Sequence, residues 1–150
     1  MRVLVYGMVG TNRGGIETFL LKMNEFMSNE TTFDYVIEEK SCLHEERIKR
    51  KGGEIFYITS RTQSARKNIA DNRRLLEEKR NTHEAVYFNL SSLSWIEPIR
   101  IAIKLGYRVY VHSHNAEFIA ANSDIVHRIV NWVNKRRLSK YKVTRLTCSL

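Results

Sequence analysis

The feature that most constrains this chain is a regular alternation between short apolar runs and longer helical patterns. Four runs rich in β-branched, aliphatic and aromatic residues predict strands, and they lie at Arg2–Tyr6, Glu54–Thr59, Ala85–Leu90 and Arg108–His112. A more polar run, Phe33–Glu38, stands where a second strand is needed, and a sixth strand is predicted to begin at Lys142. Right-handed crossovers place helices on both faces of such strands, so the spacing predicts an α/β fold with a parallel sheet.

Helical patterns fill the intervals between these runs, at Gly15–Met27, His44–Lys51, Ser64–Arg80, Ser94–Leu105 and Ser123–Tyr141. In the first helix, three- and four-residue spacing predicts a buried face formed by Ile16, Phe19, Leu20, Met23 and Met27. We expect a Rossmann-like sheet, with the second and third strands on one side of the first strand and the later strands on the other. Ligands bind such sheets at the carboxyl ends of the strands.

Length and composition indicate one globular domain covering residues 1–150, with 43% hydrophobic and 27% charged residues. No apolar run approaches the roughly 20 residues of a membrane-spanning helix, and the N-terminal run is too short for a signal peptide. Cys42 and Cys148 lie far apart in the sequence, which favours reduced thiols packed as small apolar groups. These features predict a cytoplasmic protein.

The chain carries a formal net charge of +9, which suits nucleic acid, anionic lipid or phosphorylated ligands without choosing among them. Solvated helix faces explain such an excess equally well. The Ser123–Tyr141 pattern combines an apolar face with Arg128 and the run Lys135–Arg137. We favour packing of that apolar face on the sheet, and the alternative is a basic amphipathic helix lying on an anionic membrane.

A glycine-rich loop follows the first strand, running from Gly7 to Thr18. Glycines let the backbone approach a ligand, and the helix that begins near Gly15 presents unpaired N–H groups, so an anion, a phosphate or a sugar hydroxyl fits there. A P-loop is excluded because Ile16 stands where lysine is required, and the glycine spacing is not that of a dinucleotide fingerprint. Glu38 and Glu39 nevertheless favour a nicotinamide cofactor, and a simple tight turn is the remaining alternative.

Polar residues also follow the fourth and fifth strands. The fifth ends in His112-Ser113-His114-Asn115, where alternation places the two imidazoles on one side. They could be metal ligands with Glu117, satisfied structural histidines, or part of a polar site that positions a sugar. Asn89 and Ser91 end the fourth strand and could donate to an acceptor hydroxyl, although such residues are often ordinary turn formers.

Two of these segments resemble one enzyme family. The run from Gly14 to Phe19 resembles the G-G-x-E-x-hydrophobic segment of family 4 retaining glycosyltransferases of the GT-B fold, and His114-Asn115 resembles the ending of that family's fifth strand. The resemblance implies that the chain is the N-terminal, acceptor-side half of a GT-B fold. It implies that His114 contacts the donor sugar, with His112 as a neighbour. The substrate-binding residues would be Asn12, Gly14, Gly15, Glu17, Asn89, Ser91, His112 and Asn115.

The reaction implied by the resemblance is retaining transfer from a nucleotide-diphosphate sugar to a hydroxyl acceptor, such as a glycan or lipid-linked precursor of a bacterial envelope. The nucleotide-sugar-binding domain of that family has no counterpart in residues 1–150, so we expect no transfer by this chain alone. The resemblance implies no metal, no cofactor and no nucleic-acid partner, and it allows peripheral contact with an anionic membrane. The alternative function is a non-catalytic nucleotide- or phosphate-binding module.

Overall fold

A computed structural model describes residues 1–27, 30–113 and 125–147. The strands are β1 (Arg2–Tyr6), β2 (Thr32–Ile37), β3 (Ile55–Tyr57), β4 (Ala85–Leu90), β5 (Arg108–Ser113) and β6 (Thr144–Thr147). The helices are α1 (Gly15–Met27), α2 (Glu45–Arg50), α3 (Ala65–Lys79), α4 (Glu97–Lys104) and α5 (Ile125–Ser139). The predicted alternation is therefore confirmed, with ends that differ from the predicted ones by a few residues.

All six strands pair in parallel, in the order β3-β2-β1-β4-β5-β6. The predicted placement of the strands on either side of β1 is confirmed, and the sheet is Rossmann-like. The chain moves to one side of β1 and then crosses to the other, so the strand order reverses between β1 and β4. Tyr6 at the end of β1 is level with Val36 of β2 and Phe88 of β4.

Alternation along the central strands divides the core into two clusters, one on each face of the sheet. Leu4 of β1 belongs to the cluster that packs under α3 and α4, together with Val86 and Leu76. Val5 belongs to the other cluster, which α1 covers with Leu20. Cys42 is buried in this second cluster as a free thiol, as predicted, while Cys148 lies outside the described residues.

The prediction for the buried face of α1 is wrong in part. Leu20 is buried as expected, but Phe19 and Met27 are exposed. The residues that α1 buries are Glu17, Leu20, Leu21 and Asn24. Ile16 and Met23 of the predicted face are partly buried against the same cluster. Glu17 takes an inward position because its carboxylate accepts bonds from the loop before the helix.

The expectation that α5 packs its apolar face on the sheet is also wrong. Ile125 is 69% and Trp132 57% exposed, whereas Asn134 and Leu138 are buried. The amide of Asn134 donates to the Leu93 carbonyl at 2.7 Å, so hydrogen bonds to a loop decide which side of α5 faces inward. No helix in the described ranges is both long and apolar enough to cross a membrane.

A saturated polar cluster closes the amino edge of the sheet, where β1, β2 and β4 begin. Asp34 of β2 is fully buried. Its carboxylate accepts two bonds from the Arg2 guanidinium at 2.8 Å, one from His83 Nε2 at 2.7 Å and one from the Glu54 amide at 2.6 Å. Burial alone would raise the pKa of Asp34, but the bonds from His83, Arg2 and Glu54 hold it below its ordinary range.

Candidate functional site

Gly7 ends β1 and brings the carboxyl ends of β1 and β4 into close approach. Its φ is +97°, in the region that favours glycine. A Cβ at this position would overlap the Asn89 carbonyl oxygen. The first residue of the glycine-rich loop therefore serves both the turn and the contact between the two strands.

The next part of the loop is held by Glu17 of α1. Its carboxylate accepts bonds from the Val9 amide at 3.2 Å and the Gly14 amide at 2.9 Å. Gly14 precedes the first residue of α1 and Glu17 is the third residue, which is the reciprocal half of a capping box. This geometry gives the G-G-x-E spacing a local structural role.

A second carboxylate and two loop contacts fix the centre of the loop. The Gly10 amide donates to Glu39 at 3.0 Å, and the Gly10 carbonyl accepts from the Leu43 amide at 2.8 Å. His44 Nε2 donates to the Asn12 carbonyl at 2.8 Å. The amides of Val9, Gly10 and Gly14 are thus engaged by carboxylates of this chain and are not available to a phosphate in this conformation.

A cavity of about 300 Å³ opens at the carboxyl ends of β1, β2, β3 and β4, where the strand order reverses. We call it the strand-end cavity. Its walls combine loop backbone, aromatic rings and carboxylates, from residues Tyr6, Gly7, Met8, Val9, Ile16, Val36, Glu38, Glu39, Ile58, Arg61, Phe88, Asn89, Leu90, Ser91, Ser92, Trp95, Pro98 and Ile99. Its size and mixed polarity are those of a small-ligand site at a topological switch point.

Two hydrogen-bond donors of this wall are buried without a partner among the described residues. They are the Tyr6 hydroxyl and the Trp95 indole N–H. Burial raises the pKa of Tyr6 far above its ordinary value, so the phenol stays protonated. A buried donor without a partner costs about 1–3 kcal/mol. Neither atom is exposed to the cavity in this conformation, and a ligand oxygen that reached them after a small shift of the surrounding side chains would remove that cost.

The Glu38 carboxylate of the cavity is held in position by hydrogen bonds from the protein. Glu38 accepts from the Arg61 amide and from the Asn68 side chain, both at 3.1 Å. Asn68 is itself fully buried and also donates to the Thr59 carbonyl at 2.7 Å. Since a carboxylate has about four acceptor positions, Glu38 keeps capacity for a ligand hydroxyl.

The charge of the lining opposes that of the whole chain. Among the described lining residues, the charged ones are Glu38, Glu39 and Arg61, which gives a formal charge of −1 in a chain of net charge +9. Together with the neutral donors of Tyr6 and Trp95, this arrangement suits a polyhydroxylated ligand better than a phosphate. Sugar hydroxyls both donate and accept, as this wall requires.

The structure brings part of the predicted site together at this cavity. Asn89 and Ser91 line it. Asn12, Gly14 and Glu17 lie in the loop and the first turn of α1, outside the cavity lining. Gly15 is exposed, and no described atom lies within 4 Å of a Cβ built on it.

His112 is buried in β5 under α1. Its ring packs edge-on against Phe19, with centroids 5.3 Å apart, and Nδ1 shares a hydrogen bond with the Tyr87 hydroxyl. His114 and Asn115 lie outside the described residues, so their sugar-contacting role stays a prediction. Within the described ranges, no group of three His, Cys, Asp or Glu side chains is arranged to hold a metal ion.

Tyr6, Trp95 and Arg61 are wall residues that sequence reasoning missed. Tyr6 resembles an ordinary strand residue, and Trp95 precedes a helix in a serine-rich segment. The available signal was positional, since each lies at or just after the carboxyl end of a strand or in the loop that follows it. Arg61 follows β3 in the same way.

Comparison with known proteins supports the fold. No protein-family model matches the sequence, and no curated protein matches it. Among solved structures, the chain is similar to a UDP-glucosyltransferase from Polygonum tinctorium capable of glucosylating indoxyl, in a complex with 3,4-dichloroaniline. The TM-score is 0.53 at 11% identity, and the match covers 77% of this chain and 30% of that protein. The chain thus spans less than a third of a glycosyltransferase with which it shares a Rossmann-like sheet.

Proposed function

We propose that this chain is the acceptor-binding part of a glycosyltransferase, which transfers a sugar from a nucleotide-diphosphate sugar to a hydroxyl of the acceptor. The Rossmann-like fold shared with part of a UDP-glucosyltransferase supports the reaction class. The strand-end cavity supports the acceptor role. The Tyr6 hydroxyl and the Trp95 N–H, which have no partner among the described residues, lie in the same wall as the carboxylates of Glu38 and Glu39. This is the observation that carries the proposal.

The acceptor sugar occupies the strand-end cavity in this proposal. Tyr6 and Trp95 donate to its oxygens, Glu38 and Glu39 accept from its hydroxyls, and the indole of Trp95 offers an apolar surface to the ring. The amides of Gly10 and Gly14 are already engaged, so most of the contacts to the donor diphosphate come from elsewhere. We therefore propose that transfer requires a second, nucleotide-sugar-binding domain and that residues 1–150 alone bind acceptor without transferring sugar.

The finer assignments rest on the sequence resemblance. We propose membership of the family 4 retaining enzymes, on the segment from Gly14 to Phe19 and on His114-Asn115. His114 would then position the donor sugar at the reacting centre. A role in bacterial polysaccharide or glycolipid synthesis, with no resident metal or cofactor, belongs to the same proposal.

The two tryptophans of the chain, Trp95 and Trp132, allow a direct test of the cavity. In Trp132→Phe, fluorescence reports Trp95 alone, and titration with neutral mono- and disaccharides should give a saturable change. Glu38→Gln should weaken binding by roughly fivefold or more, as loss of a charge-assisted hydrogen bond does. Glu78→Gln, an exposed carboxylate on α3, is the matched control and should change affinity less than about twofold.

A non-catalytic nucleotide- or phosphate-binding module is the competing function, and the same titration separates the two. Uridine diphosphate and inorganic phosphate should bind more weakly than sugars, because the lining is formally anionic and the amides of Val9, Gly10 and Gly14 are engaged by carboxylates. Tight phosphate binding with no response to sugars would replace the glycosyltransferase proposal by the module.

Peripheral contact with the inner face of an anionic membrane is part of the proposal. The outward face of α5 exposes Ile125, Ile129 and Trp132, and the exposed side chains of Arg128 and Arg136 lie on the same helix. Apolar and basic groups together suit anionic lipid, each cation adding about 1 kcal/mol near the surface. Co-sedimentation with phosphatidylserine vesicles should fall sharply between low and physiological salt. Binding that is absent at low salt would remove the membrane from the proposal.

A further inference from the structure

The charges that line the strand-end cavity are not compensated by ion pairs. Glu38 and Glu39 follow the end of β2, and Arg61 lies in the loop after β3. Among the described residues, none of these three side chains forms an ion pair. The cavity thus presents two carboxylates without a cationic partner in the described part of the chain.

Neutral groups hold both carboxylates in position. The Gly10 amide donates to Glu39 at 3.0 Å, while the Arg61 amide and the Asn68 side chain each donate to Glu38 at 3.1 Å. These bonds orient the carboxylates but leave their negative charges in place, and both residues are only partly exposed. A cationic group of a ligand would gain charge-assisted hydrogen bonds here, which are roughly twice as strong as neutral ones.

Aromatic rings give the same cavity a second feature that suits a cation. Tyr6, Phe88 and Trp95 line it, and the rings of Tyr6 and Phe88 stack with their centroids 4.7 Å apart. The face of an aromatic ring attracts an ammonium group because the ring quadrupole is negative there. The wall therefore combines the two kinds of group that bind organic cations in proteins, carboxylates and aromatic rings.

The buried hydroxyl of Tyr6 belongs to the same part of the wall. Tyr6 is 8% exposed, and its hydroxyl has no partner among the described residues. Burial is the main cause of the raised pKa of Tyr6, and the charge of Glu38 adds to it after the contribution of Tyr107. The phenol and the Glu38 carboxylate therefore lie within electrostatic reach of each other. A ligand that carries a cationic group beside a hydroxyl or ether oxygen would satisfy both of them.

An ammonium group fits these features better than a metal ion does. It offers up to three N–H donors, which the carboxylates of Glu38 and Glu39 can accept. Within the described ranges, by contrast, no group of three His, Cys, Asp or Glu side chains is arranged to hold a metal ion. Because a chain of net charge +9 repels small cations at long range, binding of an ammonium ligand depends on this local anionic wall.

We propose that the strand-end cavity selects an acceptor that carries a protonated amine, namely an amino sugar whose nitrogen is not acetylated. The proposal rests on the function proposed above and names its acceptor class. The ammonium group binds at Glu38 and Glu39, the sugar ring lies against Trp95, and a neighbouring oxygen of the sugar accepts from the Tyr6 hydroxyl. The guanidinium of Arg61 has the same sign of charge as the ligand and lowers its affinity.

A series of three sugars tests the selection by charge. In Trp132→Phe, fluorescence reports Trp95 alone, and the titrations are made at about pH 6, where an amine is protonated. Glucosamine should bind roughly tenfold or more tightly than glucose and N-acetylglucosamine, in which a neutral group replaces the ammonium. This preference should decrease as the salt concentration is raised. Methylammonium chloride at the same concentrations controls for the effect of ions on the fluorescence.

Carboxylate variants locate the ammonium group. Glu38→Gln combined with Glu39→Gln, made in Trp132→Phe, should reduce the preference for glucosamine over glucose roughly fivefold or more. The amide oxygens can still accept the bonds from the protein, so circular dichroism should be unchanged. Glu77→Gln combined with Glu78→Gln removes the same charge from the exposed side of α3. This control should change the preference less than about twofold.

The guanidinium of the lining provides a test of opposite sign. Arg61→Gln removes a positive charge from the cavity wall, so it should raise the affinity for glucosamine by about twofold or more and leave that for glucose within about twofold. Arg66→Gln is the matched control, because Arg66 is equally exposed on the neighbouring α3 and does not line the cavity. It should leave both affinities within about twofold.

Equal affinity for the three sugars would overturn the inference and leave the proposed function standing, since neutral sugars would still bind. A preference for glucosamine that is as large in the Glu38 and Glu39 double variant as in Trp132→Phe would also overturn it, because the cation would then bind elsewhere. No saturable response of Trp95 to any of the three sugars would remove the proposed function, and the inference with it. If the double variant does not fold, the sugar series and Arg61→Gln still decide the question.

Discussion

The two edges of the same sheet differ in how far their buried polar groups are hydrogen-bonded. At the amino edge, the Asp34 carboxylate accepts four hydrogen bonds, from Arg2, His83 and the Glu54 amide. At the carboxyl edge, the Tyr6 hydroxyl and the Trp95 N–H have no partner among the described residues. The strands between the two edges are the same, so the difference lies in what the connecting loops supply.

This contrast separates a stabilising cluster from a binding site. Removing a partner from a satisfied buried carboxylate is strongly destabilising because it leaves an uncompensated buried charge, whereas an unsatisfied buried donor costs free energy in the resting protein. A fold tolerates the second situation most readily where a ligand completes the bonds. The amino edge therefore should govern stability, and the carboxyl edge should govern ligand affinity.

The largest expected effect comes from removing the centre of the amino-edge cluster. Asp34→Ala leaves the charges of Arg2 and the His83 donor without their partner, and it should lower the free energy of unfolding by about 3–5 kcal/mol. Asp71→Ala is the matched control, because Asp71 accepts from the Thr59 amide beyond the carboxyl end of β3 and is partly exposed. It should cost about 1 kcal/mol. Urea denaturation measures both, and equal losses would contradict the contrast between the edges.

Alanine substitutions at Gly7 and Gly15 test whether the close approach of β1 to β4 constrains the carboxyl edge. Gly7→Ala meets both a φ of +97° and the Asn89 carbonyl, so it should destabilise by roughly 3 kcal/mol. Gly15→Ala adds a methyl group that meets no described atom, and alanine favours the helix by up to about 1 kcal/mol. Thermal unfolding of the two variants should therefore move in opposite directions. A small effect at Gly7 would mean that the approach of β1 to β4 is not constrained.

Topology was predictable from the sequence because the period of apolar residues encodes which side of each element is buried. The runs Arg2–Tyr6 and Ala85–Leu90 were placed to the residue, since nearly every side chain in a central parallel strand is buried. The roles of the loop residues were less accessible. Glycines mark positions where the backbone lies close to another group, but that group can be distant in sequence, as Glu39 is from Gly10.

The α5 helix shows the other limit of sequence reasoning. Its pattern correctly predicts an amphipathic helix, but hydrophobicity alone assigned the apolar side to the core. In the structure, Asn131 and Asn134 bond to the backbone at Leu93 and decide the orientation. Such a pairing depends on the loop geometry after β4, which no local pattern contains.

Acid unfolding tests the contribution of the Asp34 carboxylate at the amino edge, and the expected effect is smaller than that of Asp34→Ala. The pKa of Asp34 is held below its ordinary value of 3.8, so its contribution is fully present above that pH and is lost as the pH falls through the lowered pKa. One such group changes stability by at most about 1.4 kcal/mol per pH unit. Urea midpoints recorded between about pH 2 and 6 should therefore fall less steeply for Asp34→Asn than for the parent chain. An unchanged slope would exclude Asp34 as a source of acid sensitivity.

The smallest expected effect on stability, and the most informative for function, comes from the tyrosine at the carboxyl edge. Tyr6→Phe removes a hydroxyl that has no described partner, so stability should change by less than about 1 kcal/mol or rise slightly. Tyr35→Phe and Tyr107→Phe are matched controls, because their hydroxyls donate to the carbonyls of Leu20 at 3.1 Å and Leu76 at 2.6 Å. Each of these should cost about 1–2 kcal/mol. Sugar titration should give the reverse order, with affinity lowered in Tyr6→Phe and unchanged in the two controls. If Tyr6→Phe lowers stability as much as Tyr35→Phe does, the Tyr6 hydroxyl already has a hydrogen-bond partner.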